Sequence, residues 1–335
     1  MGLNDLIHIG NEPDEPILKL LDEVVLGTNG AHYKHLDTRE KIVNVDNPIY
    51  FTLRRRENIL SNITFCERGD HRYVRYFAFS PKFQSSGQKK GGNNRKSALY
   101  DLIDNYFEES LNDVDYYYAY IDPNNEKSLW LSQRFGFSEL TKLNTQTFSR
   151  TNPNRSERYH GGLNWEEVKT NVRDSFSSWT FYNEHYLKRG KFHALRNPDG
   201  VIIALMMSER AEWQIDRLPG KFGGLLVKLV PFLPFVRKLI RPNKHSFLVP
   251  EAVWVKDNDP KLLVELFESV LDSEKENVMI WWMPQSDECY NAVHDKVKWG
   301  LLDRLIGVSE VSVMIRSKKK LELTPPFYTI AYDFI

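Results

Sequence analysis

The sequence of residues 72–94, RYVRYFAFSPKFQSSGQKKGGNN, decides the fold of this chain. Its first eight residues are rich in aromatic side chains and predict a β-strand, which Pro81 ends. The polar stretch at 80–94 has three glycines, and together with Arg95 and Lys96 it holds five basic side chains and no carboxylate. A helix is predicted next, because apolar residues recur at helical spacing at Leu99, Leu102, Ile103, Tyr106 and Phe107.

This order of strand, glycine-containing loop and helix is the order that a phosphate site requires. The first turn of a helix presents unpaired N–H groups and a partial positive charge. Glycine lets the backbone approach a pyrophosphate closely. The pattern therefore predicts a pyrophosphate site at residues 80–94, although a surface loop without a ligand can have the same composition.

A second strand, turn and helix follow at residues 120–137, YIDPNNEKSLWLSQRFGF. A buried strand is predicted over 115–121, and Pro123 ends it. A helix is predicted over 127–135, with Gly136 at the position where helix C-termini are commonly capped. The two strand-turn-helix patterns, at this distance from each other in the sequence, are more specific together than either pattern alone.

The region from about residue 6 to residue 150 resembles a GNAT superfamily N-acetyltransferase domain. The family's acyl-CoA loop has the form Gln/Arg-x-x-Gly-x-Gly/Ala, which Gln84 and Gly87 match after a similar lead-in at 80–83. A rival register begins at Gln88. The family's second motif is matched by Asn125, Ser128 and the string Phe135-Gly136-Phe137.

The resemblance implies that backbone N–H groups of the loop hold the pyrophosphate of an acyl-CoA. It also implies that an Asn helps to position the pantetheine arm, and that a bulge splays two adjacent strands around the thioester. The residues that it assigns to cosubstrate binding are Phe79, Ser80, Gln84, Ser85, Ser86, Gly87, Gln88, Lys89, Asn125 and Ser128.

The chain departs from the family pattern in two places. Six residues, 88–93, stand where the family's helix normally begins. Many family members have a tyrosine four residues before the glycine of the second motif, as general acid toward the leaving thiolate, and Ser132 stands there instead. A serine hydroxyl is a much poorer proton donor than a phenol. The catalytic candidates are Ser132, Tyr120 and Glu67.

The length of 335 residues favours two domains. We predict a GNAT-like domain over 1–150, a polar linker over 151–158, and a second GNAT-like domain over 159–335 that repeats the element order of the first. The fold class is α/β (α+β), with a mixed, centrally splayed sheet flanked by helices in each domain. The second copy is expected to be degenerate, because the strand equivalent to 72–79 ends in VKDNDP at 255–260, with no glycine and two carboxylates.

The composition limits the partners. Lys+Arg and Asp+Glu both number 45, so no overall charge attracts nucleic acid. Two distant cysteines make neither a disulfide framework nor a zinc site, and no metal and a cytoplasmic location are expected. The apolar insertion at about 218–245 contains basic residues. It is expected to be a packed insertion, a lid, or a membrane-surface contact through 225–240, without a transmembrane segment.

The predicted function is acyl-CoA-dependent N-acyltransfer, most simply of acetyl from acetyl-CoA to a small-molecule or peptide amine. One alternative is a non-catalytic protein that binds or senses acyl-CoA, which Ser132 and the long loop favour. Another is an aminoacyl or long-chain acyl transferase on the same tandem fold, which the apolar insertion favours.

Overall fold

The computed structural model describes residues 6–27, 31–80, 93–218, 223–234 and 236–335. Its contacts divide the chain into two compact units. The first unit consists of Met1–Thr28, Lys34–Leu140 and Ser312–Leu321, and the second of Asn29–Tyr33, Thr141–Val311 and Glu322–Ile335. A segment near the C-terminus thus belongs to the first unit. The domain boundary at residue 150 and the linker at 151–158 stay predictions.

The first unit contains a mixed sheet, whose neighbouring strands run in the order β1-β3-β4-β5-β6-β13. The pairs along β1 to β5 are antiparallel, β5 and β6 are parallel, and Ser312–Ser317 pairs antiparallel with β6. The strands of this order are β1 (Ile7–Gly10), β3 (Ile49–Arg55), β4 (Asn58–Glu67), β5 (His71–Phe79), β6 (Tyr116–Ile121) and β13 (Ser309–Ser317). A further strand, β2 (His32–His35), does not belong to this order.

Helices cover both faces of this sheet. They are α1 (Glu15–Asp22), α2 (Thr38–Ile42), α3 (Asn93–Ser110) and α4 (Glu126–Arg134). The helices α3 and α4 pack on an apolar face built from residues such as Phe65 and Tyr117. The other face packs against α1. The sequence predicts Asp14 as the N-cap of this helix, and the Asp14 carboxylate accepts a hydrogen bond from the Ile17 N–H at 3.1 Å.

The second unit repeats this arrangement, with strands in the order β7-β12-β11-β10-β9-β8. Here too the central pair, β11 and β12, is parallel and its neighbours are antiparallel. The strands are β7 (Ser138–Ser149), β8 (Tyr159–Leu163), β9 (Phe192–Arg196), β10 (Ile202–Arg217), β11 (His245–Val255) and β12 (Val278–Pro284). The helices are α5 (Trp165–Phe176), α6 (Gly223–Leu229), α7 (Val236–Leu239), α8 (Pro260–Glu274), α9 (Glu288–Val293) and α10 (Leu301–Ile306). The predicted fold class is therefore confirmed.

Two predicted elements of the second unit are wrong for a shared reason. The sequence pattern predicts a helix over 165–187 and a strand over 328–334. The helix ends at Phe176, and Ala331–Phe334 form a 3-10 turn instead of a strand. The backbone of Thr180 accepts from the Tyr328 N–H at 2.7 Å and donates to the Pro326 carbonyl at 3.0 Å. Because these backbone groups bond to each other, they are not available for a longer helix after Phe176 or for a β-strand at 328–334.

Two further boundaries differ from the prediction. The sequence pattern predicts two strands between Gly136 and about Arg150. They are a single strand, β7, in whose middle Asn144 pairs with Met283 of β12. The sequence pattern also predicts a helix over 287–299. The helix α9 ends at Val293, and α10 follows it separately. The Trp299 carbonyl accepts a hydrogen bond from the Ser149 N–H at 2.8 Å. The backbone at Trp299 is therefore bonded to the end of β7 and not to a helix.

Candidate functional site

The parallel strands β5 and β6 of the first unit separate along their length. They pair only at His71↔Tyr116, Arg72↔Tyr117 and Tyr73↔Tyr118. Beyond Tyr73, β5 continues to Phe79 and β6 to Ile121, without pairing to each other or to another described strand on this side. The facing edges therefore carry peptide groups that an extended ligand could satisfy as a strand does.

A β-bulge in β5 accompanies this separation. Opposite β4, the pairing moves from Thr64↔Arg75 to Asn62↔Ala78, so β5 has one extra residue there. Tyr76 within the bulge has a φ of 51°, a conformation that a bulky side chain rarely adopts. The buried amide of Asn62 donates to the Tyr76 carbonyl at 3.4 Å. A strained backbone held by a buried side chain is a feature of functional sites.

The connection from β5 to α3 includes most of the predicted phosphate loop. Ser80 closes β5, because its N–H donates to the Leu60 carbonyl at 2.9 Å, and Phe79 packs against Phe77 with ring centroids 5.1 Å apart. The described helix α3 begins at Asn93 and has no acidic residue in its first turn. The remaining predicted loop residues lie outside the described part of the chain: Gln84, Ser85, Ser86, Gly87, Gln88 and Lys89.

Helix α4 is the second predicted element of the site. Its N-cap is Asn125, whose side-chain oxygen accepts from the Ser128 N–H at 3.1 Å, so the two motif residues are joined by one hydrogen bond. Both are half-buried. Gly136 follows the helix with a φ of 70°, as a C-terminal cap requires.

Arg316, which β13 contributes to the first unit, was not predicted from the sequence. Its guanidinium is 4% exposed and donates to the Phe135 carbonyl at 2.6 Å, at the end of α4. It also binds the carboxylates of Asp104 and Glu108, both on α3, at 2.7 and 2.5 Å. Arg316 therefore fixes α3 relative to α4. Its only sequence signal was an arginine in a short apolar strand far from the motifs.

The three catalytic candidates lie in different surroundings. Ser132 is buried and its hydroxyl donates to the Leu129 carbonyl of its own helix at 2.8 Å. Glu67 is exposed at the hairpin end of β4, opposite Arg72 in the paired part of the sheet, and accepts from Asn47 at 2.6 Å. Tyr120 lies on β6 two residues beyond the last pair with β5.

Aromatic rings surround Tyr120 on one face of the sheet. Its ring centroid is 5.4 Å from that of Tyr73 on β5 and 5.6 Å from that of Tyr118. Since Tyr117 belongs to the core under α3 and α4, the alternation of side chains directs Tyr118 and Tyr120 to the opposite face. The phenol of Tyr120 is thus at the separated end of the two strands, on the face away from α3.

That same face carries polar groups deep in the unit. The hydroxyl of Tyr50 and the amide oxygen of Asn62 are buried and have no hydrogen-bond partner among the described residues. Burial, together with the positive charge of Arg75, lowers the pKa of His35 to about 3, so its imidazole is neutral near pH 7. Buried polar atoms of this kind require a partner such as water or ligand.

The second unit has the same separation of strands, but its own chain fills it. The strands β11 and β12 pair only at Leu248↔Met279, and Ala252 lies in a bulge with a φ of 51°. The segment 327–335 occupies the gap: Thr329 donates to the Trp282 carbonyl of β12 at 3.0 Å. On β11, Glu251 accepts from the Tyr328 hydroxyl and the Ala331 N–H at 2.8 and 2.7 Å.

The N-terminus of α8, the helix that follows β11, is also unsuited to binding a phosphate. Asp259 caps α8 with its own carboxylate, which accepts from the Lys261 N–H at 2.8 Å, and Pro260 in the first turn has no N–H to offer. Asp257 precedes it with a φ of 57°. A bound pyrophosphate would displace a carboxylate from a helix end that already holds negative charge.

No candidate metal site or membrane-spanning helix is found in the described residues. Within them, no group of three or more His, Cys, Asp and Glu side chains is arranged to hold a metal ion. None of the described helices is both long enough and apolar enough to cross a membrane.

Comparison with known proteins establishes the fold. No protein-family model and no curated protein matches the sequence. Among solved structures, a tandem GNAT protein from the clavulanic acid biosynthesis pathway has a TM-score of 0.53 at 10% identity, with 94% of this chain and 100% of that chain covered. N-myristoyltransferase of Saccharomyces cerevisiae, solved with bound myristoyl-CoA and inhibitors, has a TM-score of 0.54 at 10% identity, with 95% and 81% covered. The chain has a tandem GNAT fold, as the sequence motifs predicted.

Proposed function

We propose that this protein is an acyl-CoA-dependent N-acyltransferase whose cosubstrate binds in the first unit. The observation that carries the proposal is the separation of β5 and β6 beyond Tyr73, next to the strained bulge at Tyr76. The pantetheine arm has amide groups that can bond to the free strand edges. The pyrophosphate would bind at residues 80–92 and the first turn of α3, where no carboxylate opposes it.

The geometry of the sheet supports separate entry for the two substrates. Helix α3 covers one face, so the CoA phosphates approach from that side. The amine would approach from the opposite face, where Tyr120 and the buried polar groups around Asn62 lie. Placing the amine against the thioester would supply most of the rate. The amine nitrogen attacks the thioester carbonyl and loses a proton to solvent water, the C–S bond breaks, and the leaving thiolate takes a proton.

We propose Tyr120 as the donor of that proton. A phenol is the more suitable acid, and the hydroxyl of Ser132 is committed to its own helix. The acyl group would be acetyl in the simplest case, and the acceptor a small-molecule or peptide amine. Asn125 and Ser128 would help to position the pantetheine arm, as the family motif implies.

One observation favours a second candidate, a protein that binds acyl-CoA without turnover. The buried hydroxyl of Ser132 stands where many family members have a tyrosine. The two candidates share the cosubstrate site and differ only in chemistry. Release of free CoA thiol with a panel of amines separates them.

The test is a thermal-shift and calorimetric titration with acetyl-CoA, CoA and a long-chain acyl-CoA. We expect ligand-dependent stabilisation of the wild type that is lost in Gly87→Glu, because a carboxylate in the loop opposes the pyrophosphate. Gly10→Glu is the matched control, since a side chain added at Gly10 has no atom within 4 Å. Absence of stabilisation by every thioester in the wild type would refute the cosubstrate.

A further inference from the structure

The segment 223–241 of the second unit, which is described apart from residue 235, packs on that unit through one side of its described residues. It consists of α6, a 3-10 turn at Val230–Phe232 and α7, and α6 lies against β10. The side chains of Val230, Leu239 and Ile240 are buried and hold it in place. The segment therefore has a defined inner side and an outer side.

The outer side is apolar and exposed. Phe232 is 79% exposed, and Leu225, Leu229 and Leu233 are between 43% and 55% exposed. Leu225 and Leu229 are four residues apart on one face of α6. Four large apolar side chains within nine residues form a patch of the kind that marks a binding surface, and none of them contributes to the core.

The charge of this region is strongly one-sided. Residues 217–250 contain seven of the 45 lysines and arginines of the chain and none of its 45 aspartates and glutamates. Lys244 pairs with Glu212 at 3.0 Å and Lys238 donates to Asn152 at 3.1 Å. Lys228, Arg237 and Arg241 are exposed and make no ion pair with the described residues.

We propose that the segment 223–241 docks on an anionic phospholipid surface. Phe232 and the exposed leucines would enter the boundary between headgroups and acyl chains, and the cations would contact lipid phosphates. Exposed apolar side chains beside lysine and arginine, without acids, are the composition of interfacial helices. A second copy of the chain is a poorer partner, because a symmetric contact would bring two positive segments together.

This inference does not depend on acyl transfer, and its test uses no thioester. The full chain is floated with vesicles of phosphatidylcholine alone and of phosphatidylcholine with 30% phosphatidylserine. We expect at least tenfold stronger binding to the anionic vesicles, weakened by 0.5 M NaCl. Equal binding to both vesicles, or no binding, would overturn the proposal.

Paired variants locate the contact. Phe232→Ser/Leu233→Ser should lower binding to anionic vesicles at least tenfold. Val201→Ser/Leu305→Ser is its control, because both side chains are about as exposed, at 58% and 62%, and lie outside the segment. Lys228→Gln/Arg237→Gln should lower binding about fivefold per cation, whereas Lys296→Gln/Lys298→Gln should not.

Folding and self-association are checked on the same proteins. All the substituted side chains are exposed, so the thermal melting of each variant should match the wild type. Sedimentation equilibrium reports the oligomeric state. A wild-type dimer that Phe232→Ser/Leu233→Ser dissociates, combined with no flotation, would assign the patch to contact between copies and overturn the membrane proposal.

Discussion

Both units contain a pair of parallel strands that separate along their length, but the two units differ in what lies in the gap between the strands. In the first unit, β5 and β6 part beyond Tyr73 and no described strand enters between them. In the second, the segment 327–335 bonds to both β11 and β12. Both bulges place a non-glycine residue at a φ of 51°. The shared geometry therefore does not make a ligand site, and the occupant of the gap decides its role.

The largest expected effect is a loss of stability when the segment that fills the gap between β11 and β12 is changed. Tyr328→Ala removes a buried ring and leaves Glu251 without one of its hydrogen-bond donors, which should cost about 4 kcal/mol of unfolding free energy. Tyr328→Phe keeps the ring and should cost about 1 kcal/mol. Denaturant unfolding measures both.

The same variants test whether emptying the gap creates a ligand site. Because Asp259 caps α8, we expect calorimetry of Tyr328→Ala with acyl-CoA to show no additional binding site. A second site would show that the occupant alone had prevented cosubstrate binding in the second unit.

The pH dependence of the second unit gives the next largest effect. Burial raises the pKa of Glu251 to about 8, so the folded state holds its proton more tightly than the unfolded state does. Stability should therefore fall as pH rises from about 4.5 to 8 and then level off. Glu251→Gln should be more stable than the wild type at pH 9 and nearly equal to it at pH 5, because only the ionised carboxylate loses stability on burial.

Glu184 provides a control of opposite sign for that measurement. Its hydrogen bond with Arg173 is the main cause that lowers its pKa to about 2. Stability from this group is present above about pH 4.5 and is lost as pH falls toward 2. Glu184→Gln should thus destabilise the protein at pH 7, and the same response from both variants would contradict the assignment of Glu251.

Tyr120 tests the chemistry of the first gap. If its phenol protonates the leaving thiolate, Tyr120→Phe should lower kcat about 100-fold and leave the acyl-CoA dissociation constant unchanged. Tyr116→Phe removes a phenol from the paired end of the same strand and should leave kcat near the wild-type value. An unchanged kcat in Tyr120→Phe would exclude it as the acid.

The smallest expected effect is the loss of one helix N-cap, and it tests whether Asn125 only caps its helix or also binds the ligand. Asn125→Ala and Asn164→Ala each remove a side-chain N-cap, of α4 and α5, and should each cost about 1 kcal/mol of stability. Only Asn125→Ala should weaken acyl-CoA binding, measured by calorimetry. If both variants bind acyl-CoA with the same affinity, the role of Asn125 is only to cap the helix.

Local sequence features predicted much of each unit. The alternation and aromatic content of 72–79 gave β5, the helical spacing of Leu102, Ile103 and Phe107 gave α3, and Asp14 and Gly136 marked helix ends. Short elements were missed. Strand β8, YHGGL, has two glycines and no clear alternation, so its pairing with β9 is what makes it a strand.

The amino-acid sequence by itself determined the tandem fold, because hydrophobic periodicity, caps and turn residues act between neighbours in the chain. Only the tertiary structure decided that Ser312–Ser317 pairs with β6, that Arg316 fixes α3 and α4, and that 327–335 fills the second gap. These contacts join residues more than 45 positions apart in the chain. Such contacts leave no periodic pattern in the sequence, since they depend on which surfaces meet once the local elements have formed.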